Sequence, residues 1–371
     1  DSIVQWQVIQ NSKTDFVVKL VMRREDDSVV KMISQFKEFL GEAANISIEY
    51  VNDIPVLASG KRKPVGNNMS KEIGGYFTLE LHPQQHYLHD DGIFVNSGRH
   101  AIEYVLKTIP HLDTLWIPYY TCRVVVDAIN KVGCKIKKYT IDKDLHIAED
   151  ISLQDNEYLL YTNYFGLMDA YIHMIHERFK SKLIVDNAQA LFSEPIDGVM
   201  TAYSPRKTIG VADGGICYTP YPYMGLPLEK DISVERSLYL LDRFDYPSQQ
   251  GYFSSKESNK TIEDEPLKQM STLTHSVYSS SDFSFIKKKR LENYQYLSQV
   301  LQTNNKYKVP EFENVVCPLI YPLYSEDVGL KEYLISKGVF VATYWPYVIK
   351  TCTPDMIEYD LASHLIALPI D

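Results

Sequence analysis

The sequence predicts an α/β protein: a mainly parallel sheet flanked by helices, a small α+β lobe at its C-terminal end, and a small α+β domain in front. Three observations lead there. From about Gly75 onward, short apolar runs alternate with segments of helical spacing, the pattern of parallel strands joined by crossover helices. Residues 1–66 carry a separate strand and helix pattern that ends in a polar stretch containing glycine and proline. The chain has 371 residues, 45% hydrophobic and 23% charged. At roughly 150 residues per domain this allows two or three packed domains and fits neither disorder nor a fibrous repeat.

The elements follow in order. Residues 3–9 and 16–22 read as strands, Val30, Ile33, Phe36, Phe39 and Leu40 fall at helical spacing, and 46–51 supplies another strand. The run Ser59-Gly60-Lys61-Arg62-Lys63-Pro64-Val65-Gly66-Asn67-Asn68 marks a boundary, which places a domain at 1–66 and a linker at 67–74. Strands are expected at 92–95, 115–117, 135–139, 158–161 and 182–185, with helices at 99–107 and 123–131 between them. Ligands of such a sheet lie at the carboxyl ends of its strands, so functional residues are expected just after each strand. Residues 220–285 are rich in Ser, Tyr, Glu and Lys with weak periodicity. A helix is expected at 285–301 and extended segments at 319–323 and 340–345, which divides the body into a large domain at 75–284 and a small lobe at 285–371.

Composition removes several functions. Lys and Arg total 38 against 48 Asp and Glu, a net charge of −10, and no basic block offers a nucleic-acid footprint. No apolar run approaches the roughly 20 residues of a membrane helix. Five cysteines at irregular spacing, without a CxxC pair, argue against a disulfide framework or a structural zinc site and suggest reduced thiols in a cytoplasmic setting. His173 and His176 lie three apart on an expected helix and read as a surface pair, so no metal is expected. The first residue is Asp1 rather than methionine, and the start is read as a fragment boundary.

The chemistry concentrates in two segments. Residues 182–185 run into Asp186-Asn187-Ala188-Gln189, which delivers a carboxylate and an amide to the rim of a buried strand. Alone, an Asp there more often caps a helix or a turn. Lys207 follows 21 residues later, inside Ser204-Pro205-Arg206-Lys207-Thr208-Ile209-Gly210-Val211-Ala212-Asp213-Gly214-Gly215. An isolated loop lysine is ordinarily solvated. Here a serine three residues before it and Asp-Gly-Gly after it describe a loop that exposes an amine beside a phosphate-binding hydroxyl. A desolvated lysine near another cation forms a Schiff base with an aldehyde. Upstream, Val95-Asn96-Ser97-Gly98-Arg99-His100-Ala101 leads a strand into a helix, where glycine permits close backbone approach and the helix start attracts phosphate.

These segments resemble the DegT/DnrJ/StrS sugar aminotransferases, pyridoxal 5′-phosphate (PLP) enzymes of fold type I, over about residues 75–371. The resemblance implies fold type I for the body, with Lys207 as the residue that joins the cofactor aldehyde, Asp186 as partner of the pyridine nitrogen, and Gln189 near the cofactor hydroxyl. It makes Gly98 and Arg99 candidates for the cofactor phosphate, Arg99 standing where the family has Thr, and adds Ser204 at the lysine-minus-three position. Pro118-Tyr119-Tyr120-Thr121-Cys122 resembles the segment whose last residue stacks on the cofactor; Cys122 holds that position, and Tyr120 or Tyr119 is an alternative source of the ring. Asn163 in Asn163-Tyr164-Phe165-Gly166 resembles the turn near the ring substituents. Arg243, Arg290 and Trp345 are candidates for lining a substrate site. An Asn-x-Arg element after the lysine loop is not recognisable.

Residues 1–66 resemble the C-terminal subdomain of phenylacetate-CoA-ligase-like and capsule-biosynthesis adenylate-forming enzymes, through Gln5-Trp6-Gln7-Val8-Ile9-Gln10, Ile48-Glu49-Tyr50-Val51-Asn52-Asp53-Ile54-Pro55 and Ser59-Gly60-Lys61-Arg62. In that family the Gly-Lys loop lysine assists adenylation, which points to Lys61, although in this chain a solvated linker lysine is the favoured reading. Together the resemblances imply an aminotransferase that moves an amino group from an amino acid to a nucleotide-linked keto-sugar in polysaccharide or secondary-metabolite synthesis, working as a homodimer. Two other readings remain open: another PLP reaction such as dehydration, and a non-catalytic aminotransferase-like scaffold partnered with an adenylate-forming enzyme.

Overall fold

The computed structural model describes residues 3–12, 14–23, 28–40, 43–51, 54, 65–67 and 77–371. The chain divides into two compact units, Asp1–Leu79 and Glu80–Asp371. Lys61, its surrounding loop and the expected linker beyond Asn67 lie outside the described residues.

In the first unit, alternating apolar residues build β1 (Ile3–Gln10) and β2 (Asp15–Met22), followed by α1 (Ser28–Leu40), β3 (Asn45–Tyr50) and β4 (Val65–Asn67). The sheet order is β3-β2-β1-β4, with β1 and β2 antiparallel and each outer strand parallel to its neighbour. Val8, Phe16, Val18 and Leu20 of one sheet face bury against Val29, Met32, Ile33 and Phe36 of α1. The Trp6 and Phe36 rings meet edge to face at 5.9 Å.

The second unit begins with β5 (Ile93–Val95), α2 (Gly98–Thr108), β6 (Thr114–Pro118), α3 (Arg123–Val132), β7 (Lys135–Tyr139), β8 (Glu157–Thr162), α4 (Asp169–Phe179), β9 (Leu183–Asn187), β10 (Met200–Tyr203) and β11 (Gly215–Tyr218). These strands form one seven-stranded sheet in the order β5-β11-β10-β9-β8-β6-β7. Only β11 runs against the others, pairing antiparallel with both β10 and β5. The central β8, β9 and β10 are buried along their whole length. Buried on both faces, they read as near-continuous apolar runs, as strands of a covered parallel sheet do. Gly215 opens β11 because a Cβ there would sit 2.1 Å from the Ser97 carbonyl oxygen.

Past the sheet come α5 (Leu238–Asp245), α6 (Ser248–Asp264) and α7 (Thr272–Ser279). They fall in the stretch whose periodicity is weak, and the reason is physical: α5 buries no residue fully, and α6 buries only Ser258 and Ile262 among its side chains described, apart from the glycine Gly251. The lobe that closes the chain holds α8 (Phe283–Leu301), β12 (Ile320–Tyr324), α9 (Leu330–Ser336), α10 (Pro346–Thr351), α11 (Ile357–His364) and β13 (Leu365–Pro369), with β12 and β13 antiparallel. Residues 340–345 form no strand and contribute a single bridge, Ala342 to Ala367. The five cysteines are unbonded. Among the described residues no helix is long and apolar enough to cross a membrane.

Candidate active site

Five strand ends build one cavity of about 380 Å³ at the carboxyl edge of the sheet. Of the residues singled out from sequence for the cofactor, Lys207, Asp186, Gln189, Ser204, Gly98, Arg99 and Cys122 line it, as does the substrate-site candidate Trp345. Tyr120 and Asn163 lie behind the lining. Asn163 is fully buried, its amide nitrogen donating to Asp169 Oδ1, Asn187 Oδ1 and Ser193 Oγ and its oxygen accepting the Met168 N–H. It ties the turn after β8 to the end of β9. Tyr120 is likewise buried, its ring 5.1 Å from that of Trp345.

Asp186 ends β9 in register with Thr162 of β8 and Ala202 of β10. Its Oδ1 accepts the Ala188 N–H at 3.0 Å. Burial pushes this carboxyl above the ordinary aspartate value, while the Lys207 amine and the Ala188 N–H pull the other way. A buried carboxylate in this position favours a cationic partner. Lys207 closes a short 3₁₀ turn begun by Pro205, whose fixed φ suits the first position. The Lys207 N–H returns to the Ser204 carbonyl at 3.2 Å.

Gln189 contributes half of its amide to the protein. Its Oε1 accepts the Phe165 N–H at 2.8 Å, and its Nε2, buried on the cavity lining, has no protein partner. Thr162 Oγ1 is orphaned in the same way. Unpaired buried polar atoms are costly, so two of them on one cavity indicate an expected ligand.

The amino end of α2 opens onto the same cavity. Ser97 caps the helix, its Oγ accepting the His100 N–H at 3.2 Å, and Ser97, Gly98 and Arg99 all line the cavity. The first N–H groups of a helix have no intrahelical acceptor and its dipole favours an anion there. Gly98 packs onto Ser204: a Cβ on the glycine would lie 2.8 Å from the serine Oγ. The Arg99 Nε is buried and unpartnered. Arg206 also lines the cavity, its Nη2 donating to Asn259 Oδ1 of α6 at 2.5 Å. Among the described residues no carboxylate pairs with the Arg206 guanidinium.

Thr162, Arg206, Asn259 and Ile262 therefore join the lining without having been singled out from sequence. Thr162 follows the strand-end rule that identified Asp186. Arg206 is the neighbour of Lys207. Asn259 and Ile262 depend on where α6 packs, which carries no local signal. Trp345 supplies the one aromatic ring on the lining among the described residues. Arg290 is buried and donates to the Leu319 carbonyl, and Arg243 is exposed on α5. Asp213 of the Asp-Gly-Gly segment is structural: it accepts two hydrogen bonds from buried Arg236 and one from Thr274.

A PLP molecule fits this donor set. The helix start with Gly98, Arg99, Arg206 and Ser204 suits its phosphate, Asp186 suits a protonated ring nitrogen, and the free Gln189 Nε2 suits its ring oxygen.

The family model described as CapK C-terminal domain matches residues 1–68. No curated protein matches the chain by sequence. Among solved structures, NtdA from Bacillus subtilis with bound cofactor PMP is 16% identical, with 75% of this chain and 68% of that chain covered and a TM-score of 0.50. AtS13 from Actinomadura melliaura is 14% identical over 75% of this chain and 81% of that one, also at 0.50. A DegT DnrJ EryC1 StrS aminotransferase from Brucella abortus is 15% identical over 75% and 80%, at 0.48. The chain thus joins a segment matching the CapK C-terminal domain to a body with the fold type I architecture of PLP-dependent transferases.

Proposed function

We propose that the body of the chain is a PLP-dependent aminotransferase that takes an amino group from an amino acid and gives it to a keto-sugar, nucleotide-linked, in polysaccharide or secondary-metabolite synthesis. The observation that carries this is one cavity lined by Lys207, the buried Asp186 carboxylate and the unpartnered Gln189 amide, with the exposed lysine's charge close enough to act on Asp186. The structural neighbour NtdA, described with bound cofactor PMP, supports a cofactor of the same class.

When bound, the cofactor supplies an electron sink for the substrate carbon. The chain's residues do the rest. Asp186 stays charged against a ring N–H, which offsets the cost of its own burial. Gln189 Nε2 donates to the ring oxygen and orients the ring. The amino end of α2, Gly98, Ser204, Arg99 and Arg206 hold the phosphate. Lys207 would hold the cofactor aldehyde through its amine, and that amine, when free, would carry the proton between the donor and acceptor carbons. Trp345, Ile262 and Val125 supply apolar lining to the cavity. A homodimer located in the cytoplasm belongs to the same reading.

The test is the absorption spectrum of the protein with added PLP, followed by borohydride and peptide mapping. A visible band, and a reduced label on Lys207 that is missing in Lys207→Ala, are expected; amino donors and keto-sugars are then screened. A wild-type protein with neither band nor label refutes the enzyme and leaves the scaffold reading.

A further inference from the structure

Helix α6 presents two polar side chains one turn apart to the phosphate side of the cavity. Asn259 accepts from Arg206, and Glu263 Oε1 lies 3.5 Å from Arg99 Nη2. Ile262, between them, is buried on the lining. Arg99 and Glu263 are unequal partners: the arginine side chain is 10% exposed and the glutamate 60%. The arginine Nε, moreover, is buried without any partner. A guanidinium has a planar fork of donors suited to two oxygens at once. Here Arg99 makes one long ion pair at the edge of that fork.

Resting on the cofactor reading above, we propose that Glu263 is a built-in competitor for phosphate at Arg99, a carboxylate that holds the guanidinium until a phosphate displaces it. Two arginines face this end of the cavity. A phosphate ester brings close to two negative charges at neutral pH, which matches Arg99 and Arg206 and leaves the Glu263 carboxylate in surplus. Like charges on one guanidinium repel, so Glu263 must turn to the solvent that already reaches it. Loading is thereby coupled to α6, whose carboxylate is released as the phosphate seats.

The experiment titrates the full chain with PLP and with pyridoxal, which has the ring and aldehyde but no phosphate. Glu263→Gln is expected to tighten PLP binding about two- to fivefold at low salt, as loss of a partly exposed competing charge allows. The gain shrinks at 0.5 M salt through screening (roughly 3–4 Å Debye length), and pyridoxal affinity stays unchanged. Glu263→Ala must reproduce the effect, which separates it from any change in α6 stability. Arg99→Ala must weaken PLP binding and erase the gain from Glu263→Gln. The proposal is overturned if PLP affinity does not rise, if pyridoxal gains equally, or if the gain survives without Arg99. Failure of the underlying reading looks different: wild-type protein acquires no borohydride label on Lys207, and the inference falls with it.

Discussion

Gly98 and Ser204 meet so closely that a Cβ added to the glycine would lie 2.6 Å from the serine Cβ. The start of α2 and the turn that carries Lys207 are therefore packed backbone to side chain, with no room for a methyl group. Gly98→Ala should force them apart, costing about 1–3 kcal/mol of stability as overpacking does. PLP titration should show at least tenfold weaker binding, whereas Gly133→Ala, which strains a left-handed helix cap at φ +83° away from the cavity lining, should cost stability but leave cofactor affinity unchanged.

Asp186 should stabilise the loaded protein and destabilise the free one. Its folded pKa is raised above the ordinary 3.8 by burial. The folded state thus holds its proton more tightly, and stability falls as pH rises through the window that begins near 3.8. At pH 7 and without cofactor, Asp186→Asn should melt higher by about 1 kcal/mol, or roughly 2–4 °C. The difference should shrink on acidification. Added PLP should raise the melting temperature of wild type far more than that of the variant; equal rises would contradict the ring-nitrogen role.

His100 gives the opposite dependence. Its ring bonds Ser97 Oγ at 2.9 Å and the Glu265 carbonyl at 3.0 Å, and burial pushes its pKa down to about 4, with Lys131 and Arg99 adding to the shift and Glu103 opposing it. The unfolded chain then binds a proton that the folded one refuses, so stability is lost as pH falls from about 6.5 to about 4. Thermal melts across this interval should show the slope, and His100→Gln should flatten it.

Asn163 is expected to matter for folding rather than for cofactor contact. Its amide joins Asp169, Asn187, Ser193 and Met168 in one buried network. Asn163→Ala leaves several of these groups unpaired and should cost about 2–4 kcal/mol in chemical denaturation. Saturating PLP should still label Lys207 in the folded fraction.

Particular residues show how far local sequence reaches. Asp186, Gln189 and Lys207 are singled out through their resemblance to a known family's segments; the strand-end rule by itself predicts only that Asp186 and Gln189 lie at the carboxyl edge of a parallel sheet. Asn163 shared the same strand-end position, yet its amide turned inward, a choice made by Asp169 and Ser193 that no spacing reveals. Trp345 and Ile262 reach the cavity from elements far along the chain, so tertiary packing alone brings them in. The weak periodicity of α6 has the same origin, since a helix that buries two side chains leaves little apolar pattern to read.

The reversed strand β11 has a mechanical consequence. It lies between β5 and β10, and its first residues are tied to the loop before α2 by the Gly214 N–H to the Asn96 carbonyl at 2.9 Å. The helix start at Gly98 and the turn that carries Lys207, more than a hundred positions apart in the chain, are thus braced against one and the same reversed strand.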